Sequence, residues 1–207
     1  LFRKRDLLLS RKTSINRSSF FFRKSLVMIL EITQYGNPVL RKKCRKVTEV
    51  TDELKQFGED LIETMVQAQG VGLAAPQVNR DIQMAVVDVS HDPECITFLK
   101  VDGEESSLDD LMPLVFINPS LEFGSLKESA TEGCLSIEGI NAEVRRPAQV
   151  KATLQLLDGR KILVETDGLL SRAIQHETDH LNGVLFVDRL PTATKLSMKR
   201  KLKRLTV

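Results

Sequence analysis

The sequence predicts an α+β domain of antiparallel or mixed β-sheets, and three observations lead there. Strand patterns are interspersed with two principal helical patterns, an Asp158-Gly159 turn joins two strand patterns directly into a hairpin, and no internal repeat is present. A parallel doubly wound sheet would instead show strands and helices in regular alternation. The elements follow in order. Gly36, Asn37 and Pro38 punctuate an extended N-terminal stretch from Ile32 to Val47, expected to wrap the domain. A helix is predicted from Asp52 to Gln69: Thr51 can cap it, Asp52 and Glu53 suit its N-terminal dipole, and Leu54, Phe57, Leu61, Ile62 and Met65 recur at helical spacing. Gly70 should stop it. The next segment, Gly70-Val71-Gly72-Leu73-Ala74-Ala75-Pro76-Gln77, reads as a loop that lets something approach its backbone closely.

Ile82 to Val89 is an apolar, valine-rich run expected to form a buried strand. His91 to Pro113 carries Asp102, Glu104, Glu105, Asp109 and Asp110 and is expected to be a solvated surface insertion. Strand signals return at Leu114 to Ile117 and at Val150, Ala152, Leu154 and Leu156, and Lys161 to Thr166 completes the hairpin. A second helix is predicted from Gly168 to Asn182, with Asp167 as its cap and Gly183 as its stop, and a C-terminal helix from Ala193 to Leu205.

The 207 residues, 42% hydrophobic and 28% charged, suffice for one ordinary core, so residues 28 to 207 are read as one domain. No run of about 18 apolar residues occurs, which argues against a membrane-spanning helix and for a soluble protein. Eight of the 30 Lys and Arg side chains, but only one of the 28 acidic ones, fall in residues 1 to 27. A basic, Ser-containing, acid-poor leader has the composition of an organelle transit peptide or a nucleic-acid-binding arm. Met28, placed just before the first folded-looking segment, favours upstream sequence without function. Cys44, Cys95 and Cys134 are too few and scattered for a disulfide framework, which fits a reducing compartment.

The chemistry concentrates in His176-Glu177-Thr178-Asp179-His180. Two histidines four apart project from one helical face and can grip a single metal ion, with the neighbouring glutamate in reach of a water on that ion. Leu169 and Ala173 lie on the same face, so these ionisable groups are predicted to be buried, where they need partners. Two of the chain's three histidines are here. A catalytic tetrahedral site generally uses three protein ligands and a water, and Cys134, in Glu132-Gly133-Cys134-Leu135-Ser136, is the best candidate for the third.

Gly70 to Gln77, Glu132 to Ser136, and Gln175 to Leu181 are similar to the three motifs of peptide deformylases, in the same order. The resemblance runs from about Ile29 to Leu190 and includes Gly183-Val184-Leu185-Phe186-Val187-Asp188-Arg189-Leu190. It implies sheets packed around a central metal-binding helix, and hydrolysis of the formyl group from N-terminal formyl-methionine of nascent chains in the bacterial cytoplasm. An organelle is implied only if residues 1 to 27 are a transit peptide. It further implies that Cys134, His176 and His180 bind one divalent metal, with ferrous iron favoured and zinc, nickel or cobalt also suited. Glu177 becomes the general acid and base, and the Gln77 side-chain amide and the Leu135 backbone N–H become oxyanion donors. Val71, Gly72 and Glu132 join the substrate-binding residues, and Arg145 or Arg146 supplies an arginine. The basic C-terminal helix could meet the ribosome, with a solvated face as the bland alternative. The sequence departs from many relatives at Glu138, where they have proline.

Two other readings stand beside this one. A zinc metallopeptidase uses the same histidine-glutamate-histidine helix, although its third ligand usually lies downstream of it. A deformylase-like binding module would keep the metal without hydrolysis.

Overall fold

The computed structural model describes residues 27 to 205, so the expectations about the leader fall almost entirely outside the described residues. The strands are β1 (Gly72–Ala74), β2 (Met84–Val87), β3 (Leu99–Val101), β4 (Glu104–Glu105), β5 (Leu114–Phe123), β6 (Lys127–Cys134), β7 (Ile137–Pro147), β8 (Val150–Gln155) and β9 (Lys161–Thr166). The helices are α1 (Asp52–Gln67), α2 (Leu108–Leu111), α3 (Gly168–Leu181) and α4 (Thr192–Arg204). Seven strands form one antiparallel sheet in the order β1-β2-β5-β8-β9-β3-β4, and β6 and β7 form a separate hairpin. The predicted α+β class is the observed one.

β2 explains how the layers assemble. Successive side chains of a strand point to opposite faces. Met84 and Val86 face Leu54, Phe57, Leu61 and Met65 of α1, while Ala85 and Val87 face Leu170, Ala173 and Ile174 of α3. A strand covered on both faces needs apolar residues at every position, and the valine-rich run supplies them. Each fully buried side chain such as Leu61 or Met65 contributes roughly 1.5–3 kcal/mol by leaving water.

Thr51 caps α1 as predicted, accepting from the Leu54 N–H at 3.2 Å. The helix ends differently from the expectation: Gln69 takes the left-handed conformation, at φ 55°, and the Gly70 N–H donates to the Met65 carbonyl. The following segment contains the short strand β1 and a single 3-10 turn at Ala75–Val78, where a loop was expected. Asp167 is the N-cap residue of α3 as predicted, but its side chain makes no capping hydrogen bond. Its carboxylate accepts from the Thr97 N–H at 2.8 Å and from the Thr97 hydroxyl, tying residues 91–113 to the sheet. Gly168 is required where it stands, at φ +56°, because an added Cβ would lie 2.0 Å from the Cys95 carbonyl oxygen.

That contact also corrects the reading of His91 to Pro113. Its acidic residues are exposed, but β3 pairs with β9, and Leu99 and Leu108 are buried in the main core. The segment therefore extends the sheet. The N-terminal stretch does wrap the domain: the Thr33 N–H donates to the Gln77 carbonyl, the Tyr35 N–H to the Ser136 carbonyl and the Cys44 N–H to the Leu181 carbonyl, at 2.7, 2.7 and 2.9 Å. One strap thus touches the segments that hold all three motifs.

Candidate metal centre

Three local structures converge on one point. Cys134 ends β6, and the two-residue turn Leu135-Ser136 leads back into β7, with Cys134 paired to Ile137. This hairpin is held from behind by Ile137, Ile140, Ala142 and Val144 packing on Val39, Leu40, Phe186 and Val187. His176, Glu177 and His180 lie on α3, all buried against the opposite side of the site. Gln77 comes from the 3-10 turn after β1 and is buried as well.

One ligand atom from each of Cys134, His176 and His180 lies within 4.8 Å of the others, and Cys134 Sγ is 3.3 Å from His180 Nε2. His176 Nδ1 is 3.0 Å from Glu132 Oε2, which leaves Nε2 as the nitrogen available to a ligand. Glu177 Oε2 and His180 Nδ1 are buried without a hydrogen-bond partner. An unpaired carboxylate oxygen in a dry site is costly, so a cation near Glu177 fits the residues present. A thiol with two imidazoles suits a borderline divalent cation such as zinc or ferrous iron.

The remaining side chains are placed closely. The Gln77 amide is anchored through Oε1, which accepts from the Ala74 N–H at 2.8 Å, and its Nε2 donates to Ser136 Oγ at 3.2 Å and Cys134 Sγ at 3.5 Å. Glycine at position 72 leaves room for the Glu177 carboxylate, since an added Cβ would stand 2.3 Å from Glu177 Oε1 and push that side chain aside. Val71 is buried and its carbonyl accepts from the Asp88 N–H, while β1 is the outermost strand, with no strand on its other edge among the described residues. The Leu135 carbonyl accepts from the Gln34 side chain at 3.2 Å, and Cys134 and Leu135 line a cleft of about 560 Å³ that opens toward solvent.

Burial sets the charge states. It pushes the Cys134 thiol up to about 12 and Glu177 up to about 8, and pushes His176 down to about 4. Burial, with His176 alongside, also holds His180 well below the usual imidazole value. Glu132 goes the other way. Burial would raise it, but hydrogen bonds from His176 and Arg146 prevail and hold it well below the carboxylate range.

Glu132 is expected among the substrate-binding residues, and the structure places it elsewhere. It is fully buried, with Arg146 donating from Nε to Oε1 at 2.6 Å and from Nη2 to Oε2 at 3.0 Å. Arg172 donates to Oε1 at 2.6 Å, and His176 takes up Oε2. No oxygen is left for a peptide. Of the two candidate arginines, Arg146 is the buried one and Arg145 is exposed. Arg146 also donates to Asp179 at 2.7 Å, and Arg189 clasps the same carboxylate. Sequence reasoning missed Arg172, Asp179 and Arg189. Arg172 carried a readable signal: it lies four residues before His176, on the face whose ionisable groups need buried partners.

A buried Cys-His-His triad that could hold a cation, beside a buried carboxylate oxygen without a partner and with Cys134 lining a cleft, points to a metal-dependent hydrolase. The polypeptide deformylase family model matches residues 29–196. A peptide deformylase of Methylacidiphilum infernorum is 42% identical over 178 residues, covering 86% of this chain and 93% of the relative. In structure, the chain is similar to a peptide deformylase of Synechococcus elongatus solved with actinonin, at TM-score 0.70 and 37% identity over 87% of this chain and 90% of that one. A plant peptide deformylase, PDF1B, gives TM-score 0.73 at 31% identity, over 91% and 92%. The chain belongs to the polypeptide deformylase family, whose activity is removal of the formyl group from N-terminal formyl-methionine. No helix among the described residues is long and apolar enough to cross a membrane.

Proposed function

We propose that residues 28 to 207 form one catalytic domain in which Cys134, His176 and His180 hold a single divalent cation and Glu177 moves the proton during hydrolysis of formyl-methionyl chains. The convergence of three ligand atoms within 4.8 Å carries this reading. When bound, the cation supplies a positive charge that lowers the pKa of a neighbouring water and polarises a carbonyl. Glu177, raised to about 8 by burial, is matched to accept a proton near neutral pH and return it to the departing amine. Gly72 leaves the space its carboxylate occupies. The Gln77 side-chain amide, fixed at its oxygen end by Ala74, and the Leu135 N–H are assigned to the developing oxyanion, where one such donor is worth roughly 3–4 kcal/mol. The backbone at Val71 and Gly72 offers the open edge of β1 to an extended peptide. Glu132 orients His176 through Nδ1 and does not touch the peptide.

The donor set favours no single metal; ferrous iron is our choice on the family resemblance, ahead of zinc, nickel and cobalt. α4 docks through Met198, Leu202 and Leu205 and exposes Lys199, Arg200, Lys201 and Arg204, which suits contact with ribosomal RNA in the bacterial cytoplasm.

The test is formate release from formyl-Met-Ala-Ser by protein purified anaerobically with ferrous iron. The wild type is expected to release formate, and Cys134→Ala to lose both metal and turnover. A folded, metal-loaded wild type that releases none would overturn the reading, and cleavage of internal bonds in casein would favour a metallopeptidase.

Metal affinity should also depend on pH. The Cys134 thiol, at about 12, is protonated at neutral pH and must release its proton to a metal, whereas His176 and His180 are already neutral. Affinity should therefore rise at least about tenfold per pH unit between pH 6 and 8. Competition with a chelator of known pH dependence reads this slope, and a flat profile would remove Cys134 from the ligand set.

A further inference from the structure

The turn that carries the Leu135 N–H is held from outside. Cys134 pairs with Ile137, so Leu135 and Ser136 are the two central residues of the hairpin loop. Two-residue loops that match the twist of paired strands need a positive φ at the first central residue or at both. Neither Leu135 nor Ser136 takes a positive φ. The loop therefore lacks the backbone form that suits the strands by itself, and three hydrogen bonds from other segments hold it. The Tyr35 N–H donates to the Ser136 carbonyl at 2.7 Å, Gln77 Nε2 to Ser136 Oγ at 3.2 Å and Gln34 Nε2 to the Leu135 carbonyl at 3.2 Å.

Two of these bonds come from neighbouring residues of the N-terminal strap. The residue before them, Thr33, gives its N–H to the Gln77 carbonyl at 2.7 Å. Residues 33 to 35 thus join the two segments that supply the assigned oxyanion donors, the Gln77 side-chain amide and the Leu135 N–H. Thr33 and Tyr35 act through their backbone, whereas Gln34 acts through its side chain and can be changed without cutting the strap. Gln34 Nε2 also donates to the Ile32 carbonyl at 3.2 Å. Both partners are carbonyls, which only accept, so the amide must present its nitrogen here and both of its N–H groups are engaged. Neither is left for a peptide.

We propose that Gln34 is a positioning residue for formyl hydrolysis, tying the strap to the Leu135 turn so that the Leu135 N–H meets the developing oxyanion. The inference rests on the deformylase reading of the same site. Removing a whole oxyanion donor costs about 10²–10³-fold in kcat. Loosening one costs less, and the net worth of one neutral hydrogen bond corresponds to about threefold to tenfold in rate. The oxyanion exists only in the transition state, so the loss falls on kcat and kcat/KM together and leaves KM in place.

The experiment measures kcat and KM for formyl-Met-Ala-Ser with ferrous-loaded wild type, Gln34→Ala and Gln34→Glu, alongside bound metal per chain and the urea midpoint. Gln34 is exposed, so both variants are expected to fold. Both should lose about threefold to tenfold in kcat, with KM within twofold of the wild type and with metal content and urea midpoint unchanged. The glutamate variant keeps the length of the side chain, but its carboxylate has no N–H for the two carbonyls, so its loss should be at least that of alanine. A purely structural role would lower the urea midpoint and leave kcat per bound metal where it was, and that result overturns the proposal. So does a raised KM at unchanged kcat, which would place Gln34 against the peptide, or a kcat loss that follows lost metal. In each of these cases a wild type that releases formate keeps the deformylase reading. A folded, metal-loaded wild type that releases none overturns both.

Discussion

Glu177→Gln is expected to leave the protein folded and metal-replete while formate release falls by about 10²–10⁴-fold, the usual contribution of a positioned acid and base. Glutamine keeps the shape of the side chain, so the tight approach to Gly72 and the packing of α3 are retained. What is lost is the ability to carry a proton. Metal analysis of the purified variant beside steady-state turnover separates the two effects, and undiminished turnover by a clean preparation would exclude Glu177 as the proton carrier. The pH dependence of apo stability gives an independent check. Because burial raises Glu177 from 4.5 to about 8, its contribution is fully present below its unfolded value and is lost as pH rises toward 8. Urea midpoints of the metal-free variant should accordingly fall less than those of the wild type between pH 5 and 8.

The parts of this site that were legible in the sequence are those set by local spacing. His176 and His180 share a helical face whatever the tertiary fold does, and Thr51 caps α1 because its partner is three residues away. The hairpin of β6 and β7 was not assigned as two strands, because most of β6 is solvent-exposed and offers no run of large apolar residues. Cys134 was found by chemical type. Leu99 and Leu108 were hidden by the acidic residues around them, although both are buried in the main core. The charge network was the least legible part. Arg172 and Glu132 are 40 positions apart, Arg146 and Asp179 are 33 apart, and only the folded chain brings them together. The resemblance marked Glu132 as functional but gave it a peptide to hold, whereas its burial gives it an imidazole.

Glu132→Gln tests that reassignment and has the second large expected effect. Glu132 is an anion at zero exposure, held by two guanidinium groups and by His176. Removing one partner of a buried ionic cluster leaves uncompensated charge, here Arg172 without a carboxylate and Arg146 with Asp179 alone. Such a loss costs about 3–5 kcal/mol, whereas breaking the partly exposed Lys151–Glu165 pair with Lys151→Ala should cost under about 1 kcal/mol. The sign with pH follows from the depressed carboxyl of Glu132: its contribution is fully present at pH 7 and fades only as pH falls below the ordinary carboxylate range. Urea unfolding of the metal-free proteins at pH 7 should therefore show nearly the whole difference between wild type and variant. Glutamine keeps a single acceptor oxygen, which the two guanidiniums on Oε1 would hold, so the His176 Nδ1–H loses its acceptor and metal affinity should fall about 10–100-fold. A residue that held substrate would behave otherwise, raising KM while metal affinity and the urea midpoint stayed where they were. Restoring a carboxylate of different reach with Glu132→Asp should recover part of the stability but little of the affinity, because both guanidiniums can follow the shorter side chain more readily than a histidine fixed on α3.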